Sequence, residues 1–350
     1  MKTCEYIGRD VVLFFEGVAP CCLDGKPFFS KDFNGGDFPI GEYIKFSEEL
    51  IRQNQTEEAP CKHCPVLREC GEIEVVKLPL RVVGISCTRG CPANCIYCPR
   101  LEENGKYVSA YDYSVTIKDM VARGIIGDST RVVWGGGEPV LNEHFPEICE
   151  YLADRNISQL ILTSGTVYSQ PVYNALKQNN ITLVNISVDA GTKETYAKVK
   201  GINAFDKTWE TIKKYTEANA GLVEIKYIVI PENCSDEEFF AFRDKCVENG
   251  IVKVVGSADF NRLRGEGGEG EGYGTLLPRL VRFHKIMLEE GFSVGNPLFS
   301  DEFTVDNKKL FNKLLKPPKQ RERLTLYGVY CKTLRKILPK SFREIFSKRG

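Results

Sequence analysis

The chain alternates short apolar runs with amphipathic segments between about residues 80 and 290. The apolar runs 183–188 and 225–230 contain few polar residues, which is typical of strands buried on both faces of a parallel sheet. The amphipathic segments between such runs predict helices. The predicted strands are Arg81–Ser86, Arg131–Gly135, Gln159–Ser164, Leu183–Val188, Glu224–Ile230 and Val252–Ser257. The predicted helices are Thr116–Arg123, Phe145–Arg155, Gln170–Gln178, Phe205–Ala218, Ser235–Glu248 and Leu276–Glu290.

Six β/α units in series predict an α/β fold, which is either a partial barrel or a doubly wound sheet. We expect a partial (β/α)6 TIM-like barrel over residues 79–306. In both architectures, ligands collect at the carboxyl ends of the strands. The loops that follow the strands are therefore the expected positions of functional residues.

Residues 1–78 have a different pattern, which predicts a small loop-rich module. Turn signals occur at Asp24-Gly25 and Asn34–Gly36, and one helix is predicted over Gly41–Gln53. So small a unit has little hydrophobic core. A bound metal would help to stabilise it.

Residues 307–350 predict a basic helical tail, with fourteen Lys and Arg against two acidic residues from Lys308 onwards. Three interpretations are compatible with this charge: a helix packed on the barrel with a solvated basic face, a surface for an anionic partner, and a peripheral membrane contact. Aromatic residues are too sparse in the tail for stacking on bases, so no nucleic-acid partner is expected.

The composition is ordinary for a globular protein, with 42% hydrophobic and 27% charged residues. No run approaches the roughly 18–20 apolar residues that cross a bilayer, and the first residues do not resemble a signal peptide. These features predict a cytoplasmic protein. Ten of the 14 cysteines lie in the first hundred residues. Because a reducing compartment disfavours disulfides, this clustering indicates metal or redox chemistry.

Three cysteines follow the first predicted barrel strand in a C-x3-C-x2-C string, which we call the cysteine loop (residues 91–98). Its thiolates, from Cys91, Cys95 and Cys98, can hold a [4Fe–4S] cluster and leave the fourth iron without a protein ligand. That iron can chelate the amino and carboxylate groups of a methionine moiety. A zinc site is the alternative, with Cys87 as a fourth ligand.

The loops after the next three predicted strands carry small and polar residues. The glycine loop (Gly135–Pro139) follows the second strand, and consecutive glycines let a backbone approach a small ligand closely. The third strand ends in Thr163–Gly165 and the fourth in Ser187–Gly191. Each loop alone is compatible with an ordinary strand–helix connection. Three of them after successive strands favour one shared binding site.

These loops together resemble the radical S-adenosylmethionine (SAM) superfamily, including Tyr97 before the third cysteine and the motif Gly136–Glu138. The resemblance implies that the three cysteines are catalytic through a [4Fe–4S] cluster whose open iron binds SAM. An electron from a donor such as flavodoxin or ferredoxin would then break the sulfonium C–S bond and release a 5′-deoxyadenosyl radical. That radical would abstract hydrogen from a substrate carbon.

The same resemblance implies which residues bind SAM. Tyr97 would lie near the adenine, and Glu138 would accept hydrogen bonds from the methionine ammonium. Ser187, and with it Asp189, would bind the ribose hydroxyls or face the substrate. The predicted cofactor-binding residues are Tyr97, Gly136, Gly137, Glu138, Ser164, Ser187, Asp189 and Lys226.

Glu224 and Lys226 are two charged residues in the otherwise apolar fifth strand. Because side chains alternate along a strand, both are expected to point into the barrel or toward its mouth. They would bind the SAM carboxylate or orient the substrate, or they would form a buried ion pair with each other.

The N-terminal module contains a C-x2-C-x5-C string at Cys61, Cys64 and Cys70. With the upstream cysteines, this string resembles the SPASM domain, which carries auxiliary [4Fe–4S] clusters in some radical SAM enzymes. The resemblance implies an auxiliary cluster, with either Cys22 or Cys21 as the fourth ligand. Cys4 is left as a ligand or a free thiol, and zinc on the same thiolates is the alternative.

Two departures from the SPASM pattern reduce the expected number of auxiliary clusters to one. The module precedes the barrel instead of following it, and Glu74 stands where the pattern has a further cysteine. An auxiliary cluster implies net oxidation, because it can accept the electron left after hydrogen abstraction. We expect the substrate to be a sugar or another anionic small molecule, with a peptide as the alternative. A non-catalytic iron–sulfur or zinc module is the competing interpretation.

Overall fold

The computed structural model describes residues 2–4, 6–21, 29–31, 33–62, 64, 67–69, 75–98, 108–109, 111–178, 181–259 and 273–295. The predicted basic tail and the predicted ligands Cys22 and Cys70 lie outside these residues. The role of the tail therefore stays a prediction.

Strands and helices alternate from about residue 82 onwards. The strands are β1 (Lys2–Thr3), β2 (Asp10–Phe14), β3 (Gly17–Ala19), β4 (Ser30–Lys31), β5 (Arg68–Glu69), β6 (Val82–Ser86), β7 (Thr88–Arg89), β8 (Val108–Ser109), β9 (Arg131–Trp134), β10 (Ser158–Thr163), β11 (Thr182–Ser187), β12 (Val223–Val229), β13 (Lys253–Ala258) and β14 (Ser293–Gly295). The helices are α1 (Ile40–Gln53), α2 (Tyr113–Ala122), α3 (Phe145–Asp154), α4 (Gln170–Gln178), α5 (Lys193–Lys200), α6 (Phe205–Asn219), α7 (Asp236–Glu248) and α8 (Tyr273–Glu290).

Within the described residues, one ten-stranded sheet has the order β14-β13-β12-β11-β10-β9-β6-β2-β3-β4. The eight strands from β2 to β14 are parallel, and β3 and β4 extend one edge in antiparallel pairing. From β2 to β14 the order in the sheet follows the order in the chain. A doubly wound sheet would reverse its order at a switch point. The architecture is α/β and agrees with the predicted partial barrel.

All six predicted barrel strands are confirmed, as β6 and β9 to β13. Two further parallel strands extend the sheet, β14 at one side and β2 at the other. Since β2 comes from the segment predicted to be a separate module, residues 10–14 contribute to the barrel sheet itself. The predicted domain boundaries at residues 78 and 306 stay predictions.

The two faces of β12 have different surroundings. Val223, Ile225, Tyr227 and Val229 are buried, whereas the alternate positions are only partly buried. On the buried face, the Tyr227 ring lies 4.8 Å from the Phe283 ring of α8. Burying such a side chain contributes roughly 1.5–3 kcal/mol, so this contact fixes α8 against the sheet. The opposite face of β12, with its charged residues, is directed into the barrel.

Helix α5 was missed by the sequence pattern. Its N-cap is Thr192, whose side chain accepts a hydrogen bond from Thr195 N, and it ends at Gly201 in the left-handed region (φ 66°). A Cβ at Gly201 would lie 2.6 Å from the Asn94 carbonyl oxygen. The glycine therefore allows the end of α5 to contact the cysteine loop. Among the described helices, none combines the length and apolarity needed to cross a bilayer.

Candidate functional site

The cysteine loop follows β6 and β7, at the carboxyl end of the parallel sheet. Two backbone hydrogen bonds tie it to the last turn of α5. Asn94 N donates to Lys200 O at 2.8 Å, and Ile96 N donates to Val199 O at 3.1 Å. The loop is therefore held in place by a helix that starts from the end of the fourth predicted strand, about a hundred residues further along the chain.

The thiols of Cys91, Cys95 and Cys98 are half-buried. Burial raises the pKa of the Cys91 thiol to about 12 and also raises the pKa of the Cys95 thiol. Such thiols stay protonated at neutral pH unless a bound cationic centre favours the thiolate. Thiolates are the soft ligands that iron–sulfur clusters take. The donor set of this loop therefore fits a [4Fe–4S] cluster.

Cys87, the predicted fourth ligand of a zinc site, is fully buried between β6 and β7. Burial raises the pKa of its thiol to about 12, and the thiol sulfur lies 4.0 Å from Ser109 Oγ. Within the described part of the chain, no three Cys, His, Asp or Glu side chains converge closely enough to hold one metal ion.

Gly137 brings the glycine loop against the start of the cysteine loop. A Cβ at Gly137 would lie 2.0 Å from the carbonyl oxygen of Gly90, so only glycine fits there. The same oxygen accepts a hydrogen bond from Glu138 N at 2.8 Å. Gly136, between β9 and this contact, has a φ of 95°. The loops that follow β6 and β9 are thus fixed to each other.

The Glu138 side chain connects the glycine loop to the end of β10. Its Oε1 accepts a hydrogen bond from Thr163 Oγ1 at 2.6 Å, and its Oε2 accepts from Ser164 N at 2.8 Å and Ser164 Oγ at 2.5 Å. Burial raises the pKa of this carboxyl group. The predicted neighbours Glu138 and Ser164 are therefore in direct contact with each other. Their binding to SAM stays a prediction.

Tyr97 is anchored by a buried ion pair between Asp189 and Lys200. The Tyr97 hydroxyl donates to Asp189 Oδ2 at 2.5 Å, and Lys200 Nζ donates to the same oxygen at 2.5 Å and to the Tyr97 oxygen at 2.9 Å. Burial alone would lower the pKa of Lys200, but the Asp189 carboxylate outweighs it, so the pKa is raised. The lysine is therefore charged. Through Tyr97, the ion pair fixes the part of the cysteine loop between Cys95 and Cys98.

Asp189 also joins the ends of β11 and β12. Its backbone is in the left-handed region (φ 58°), and its Oδ1 accepts a hydrogen bond from Ile228 N at 2.6 Å. The Asn233 side chain donates to the Asp189 carbonyl at 2.8 Å. The Asp189 carboxylate is thus engaged within the protein on both oxygens. Its predicted contact with ribose or substrate stays a prediction.

Ser187 and Lys226 are paired neighbours on β11 and β12. Burial lowers the pKa of Lys226, while the carboxylates of Asp189, Asp259 and Glu224 shift it in the opposite direction. Glu224, the predicted ion-pair partner, instead accepts a hydrogen bond from Asn185 Nδ2 at 2.7 Å. The sheet therefore places a lysine beside a serine at this position.

Sequence reasoning missed Lys200 and Asn233, which hold Asp189 from two sides. Lys200 is the last residue of α5 and precedes a glycine, a pattern that is typical of an exposed helix end. Asn233 belongs to the segment after the fifth predicted strand, for which the sequence predicted no functional residue. No pattern in the sequence alone indicates that these two residues are buried against Asp189.

Only some of the N-terminal cysteines lie close together among the described residues. Cys61 and Cys64 are half-buried and lie near the buried Cys4, while Cys21 is half-buried. Because Cys22 and Cys70 lie outside the described residues, the complete predicted ligand set is not tested.

Comparisons with known proteins agree with this geometry. Residues 85–243 match the sequence profile described as the radical SAM superfamily. A probable GTP 3′,8-cyclase of Methanococcus maripaludis is 28% identical over 179 residues, which cover 50% of this chain and 58% of that protein. A probable GTP 3′,8-cyclase of Saccharolobus solfataricus is 26% identical over 176 residues, with 50% and 56% covered. The chain therefore matches somewhat more than half the length of these relatives.

Among solved structures, SuiB of Streptococcus suis bound to its precursor peptide SuiA superposes with a TM-score of 0.51. The superposition covers 88% of this chain and 75% of SuiB at 13% identity, so the likeness concerns the fold alone. The family match spans β6 to α7 and includes the cysteine loop, the glycine loop and the ends of β10 to β12. This chain therefore carries a radical SAM domain over residues 85–243.

Proposed function

We propose that this chain is an enzyme that holds a [4Fe–4S] cluster on Cys91, Cys95 and Cys98 and binds SAM at the open iron. When bound, the cluster supplies the electron that breaks the sulfonium C–S bond, which yields methionine and a 5′-deoxyadenosyl radical that takes a hydrogen atom from a substrate carbon. The observation that carries the proposal is a loop of three thiols fixed between the end of α5 and the glycine loop.

The protein's own residues would keep the cysteine loop rigid. Lys200 and Asp189 hold the Tyr97 hydroxyl, so the turn between Cys95 and Cys98 has little freedom to move. Glu138 fixes the glycine loop to β10 through two residues. Geometry held in advance by such contacts reduces the entropic cost of binding the cofactors.

Lys226 is our candidate for binding an anionic group inside the barrel. Burial of this side chain disfavours the charged ammonium, so an anion bound beside it would stabilise the charge. Ser187, its neighbour on β11, adds a hydroxyl donor. The SAM carboxylate is the expected ligand. A phosphate or carboxylate of the substrate is the other source of the same chemistry.

For the substrate, we propose an anionic small molecule. The partly buried Lys226 on β12 supports this class, and so do the relatives, which are named for a reaction of GTP. A peptide, as bound by SuiB, is the alternative outcome of substrate trials. We further propose a net oxidation assisted by an auxiliary cluster, with a flavodoxin or ferredoxin as electron donor, in the cytoplasm.

The proposal is tested by iron analysis and electron paramagnetic resonance (EPR) after anaerobic reconstitution. Cys91→Ala should lose the iron of one cluster and the EPR change that SAM causes in the reduced protein. Cys87→Ala is the matched control, since Cys87 lies four residues earlier and contacts Ser109. Zinc in place of iron in the unmutated chain, or equal losses in both variants, would favour the non-catalytic module.

A further inference from the structure

Three thiols outside the cysteine loop lie together in the N-terminal segment. Cys61 packs against a cluster of buried residues that contains Cys4. Thr3, the residue before Cys4, pairs with Arg68 at the end of the β1–β5 ladder. At that same end of the ladder, Leu67 N donates to Cys64 O at 3.1 Å. Cys4 therefore lies beside both Cys61 and Cys64, although 57 positions separate it from the nearer of them.

The surroundings of these thiols are apolar. Cys4 is in contact with Ile7, Leu50 and Ile51, which are all buried. All three thiols are free of disulfides. Free thiols that pack against an apolar cluster match the surroundings of an iron–sulfur cluster.

Packing alone does not account for cysteine at these positions. Cys61 and Cys64 are half-buried, whereas thiols that serve as small apolar side chains are normally fully buried. They are held in a turn, in which Cys64 N donates to Cys61 O at 2.8 Å and Cys61 N donates to Asn54 Oδ1 at 3.2 Å. Among the described residues, neither helix nor strand lies between α1 and β5, so a metal centre would stabilise this segment.

We infer that Cys4 is, with Cys61 and Cys64, a ligand of the auxiliary [4Fe–4S] cluster. This assignment rests on the proposed function and settles a choice that the sequence left open, since the pattern gave the fourth place to Cys22 or Cys21 and left Cys4 as a ligand or a free thiol. Three thiolates are enough to hold a cubane cluster, as in the cysteine loop. They bind different irons and stand further apart than the ligands of one ion. That spacing is compatible with the lack of a single-ion site among the described residues.

The test uses the full-length chain with Cys91, Cys95 and Cys98 all changed to alanine, so that only the second site can bind iron. After anaerobic reconstitution, this protein should retain about four iron and four sulfide per chain. Adding Cys4→Ala should remove at least half of that iron. Adding Cys149→Ala, a buried thiol of α3, should leave it unchanged.

Two outcomes would overturn the inference: full iron retention in the Cys4→Ala protein, or zinc instead of iron at the site. Loss of iron on Cys21→Ala or Cys22→Ala with retention on Cys4→Ala would restore the ligand set from the sequence pattern. These results concern the second site and the net oxidation proposed for it. Cluster binding at the cysteine loop is tested separately, by iron loss in the Cys91, Cys95 and Cys98 variants of the otherwise unmutated chain.

Alkylation of the unmutated chain checks the same point if Cys4→Ala does not fold. With iron bound, Cys4 should resist iodoacetamide, as measured by mass spectrometry, and chelation of the iron should expose it together with Cys61 and Cys64. Equal labelling of Cys4 with and without iron would contradict its role as a ligand. Cys4→Ser should retain the fold and shift the EPR spectrum of the reduced cluster, because oxygen replaces sulfur on one iron.

Discussion

Lys200 Nζ lies 2.5 Å from Asp189 Oδ2, and neither side chain is more than 1% exposed. Both groups also contact the hydroxyl of Tyr97, which lies between two cysteines of the cysteine loop. Removal of one member of a buried ion pair leaves the other charge uncompensated. The pair is therefore a positioning device, and it links the stability of the barrel to the geometry of the cluster site.

Lys200→Met should lower the free energy of unfolding by about 3–5 kcal/mol, because it leaves the buried Asp189 carboxylate without a counter-ion. Chemical denaturation of the anaerobic protein measures this loss. The double variant Lys200→Met/Asp189→Asn should recover part of it, since no charge is then left unpaired. Recovery in the double variant separates the ion-pair effect from the loss of packing.

The matched control for Lys200 is Lys193→Met on the same helix. Lys193 pairs with Asp206, and both side chains are more than 60% exposed. Such a pair contributes about 0–1 kcal/mol. Equal losses of stability in the two lysine variants would show that the Lys200 pair has no special role.

His284 predicts a specific dependence of stability on pH. It is buried, with Nε2 3.1 Å from the Gly256 carbonyl oxygen, and burial lowers its pKa to about 4. The unfolded chain has an imidazole pKa of about 6.5, so it binds more protons than the folded chain between these values. The contribution of His284 is fully present above about pH 6.5 and is lost as the pH falls to about 4, by about 3 kcal/mol in all.

Denaturation at pH 7 and pH 5 measures this effect as a difference between the unmutated chain and His284→Gln. The variant should have a shallower loss of stability on acidification. His144→Gln is the control, because His144 is a half-buried residue at the start of α3. The explanation fails if His144→Gln flattens the pH profile as much as His284→Gln does.

Gly137→Ala should disrupt the cluster site. Its Cβ would lie 2.0 Å from Gly90 O, so the glycine loop would have to move away from the cysteine loop. Overpacking of this kind costs about 1–3 kcal/mol. Iron content after reconstitution and the thermal midpoint should both fall. At Gly135, a Cβ would have its nearest neighbour at 3.5 Å, so Gly135→Ala should retain both. Similar behaviour of the two variants would contradict this account.

Lys226→Met should weaken SAM binding by about 10- to 100-fold, the value of a charged hydrogen bond. Calorimetry on the iron-loaded protein measures the affinity for SAM. Lys226→Arg should retain part of that affinity. Lys198→Met, which removes an exposed cation on α5, is the control. If SAM affinity is unchanged in Lys226→Met while affinity for an anionic substrate falls, the lysine binds the substrate instead. No change in either affinity would remove Lys226 from the site.

Local patterns in the sequence were sufficient to predict much of the fold. The apolar runs identified β6 and β9 to β13. The helix predicted over Ser235–Glu248 is α7, and the Ser235 side chain caps it by accepting a hydrogen bond from Glu238 N. The cysteine spacing and the glycine loop predicted the family. These features are determined by residues that are close together in the chain, so they can be predicted from the sequence.

Features that depend on long-range packing were not predicted. Residues 11–15 form a short apolar run that fits many structures, and only pairing with β6, about seventy residues away, makes β2 a barrel strand. Lys200 has the pattern of an exposed helix end, yet Tyr97 and Asp189 from two other segments bury it. The neighbours of Cys4 also depend on long-range pairing, because the β1–β5 ladder brings residues 64–67 beside it.

The formation of 5′-deoxyadenosine tests the central claim most directly. The chain should be reconstituted anaerobically with iron and sulfide, reduced with dithionite, mixed with SAM and analysed by liquid chromatography and mass spectrometry. We predict 5′-deoxyadenosine from the unmutated chain and from Cys87→Ala, and none from Cys98→Ala. A cluster-replete chain that binds SAM without forming this product, or an equal yield from Cys98→Ala, would contradict the account.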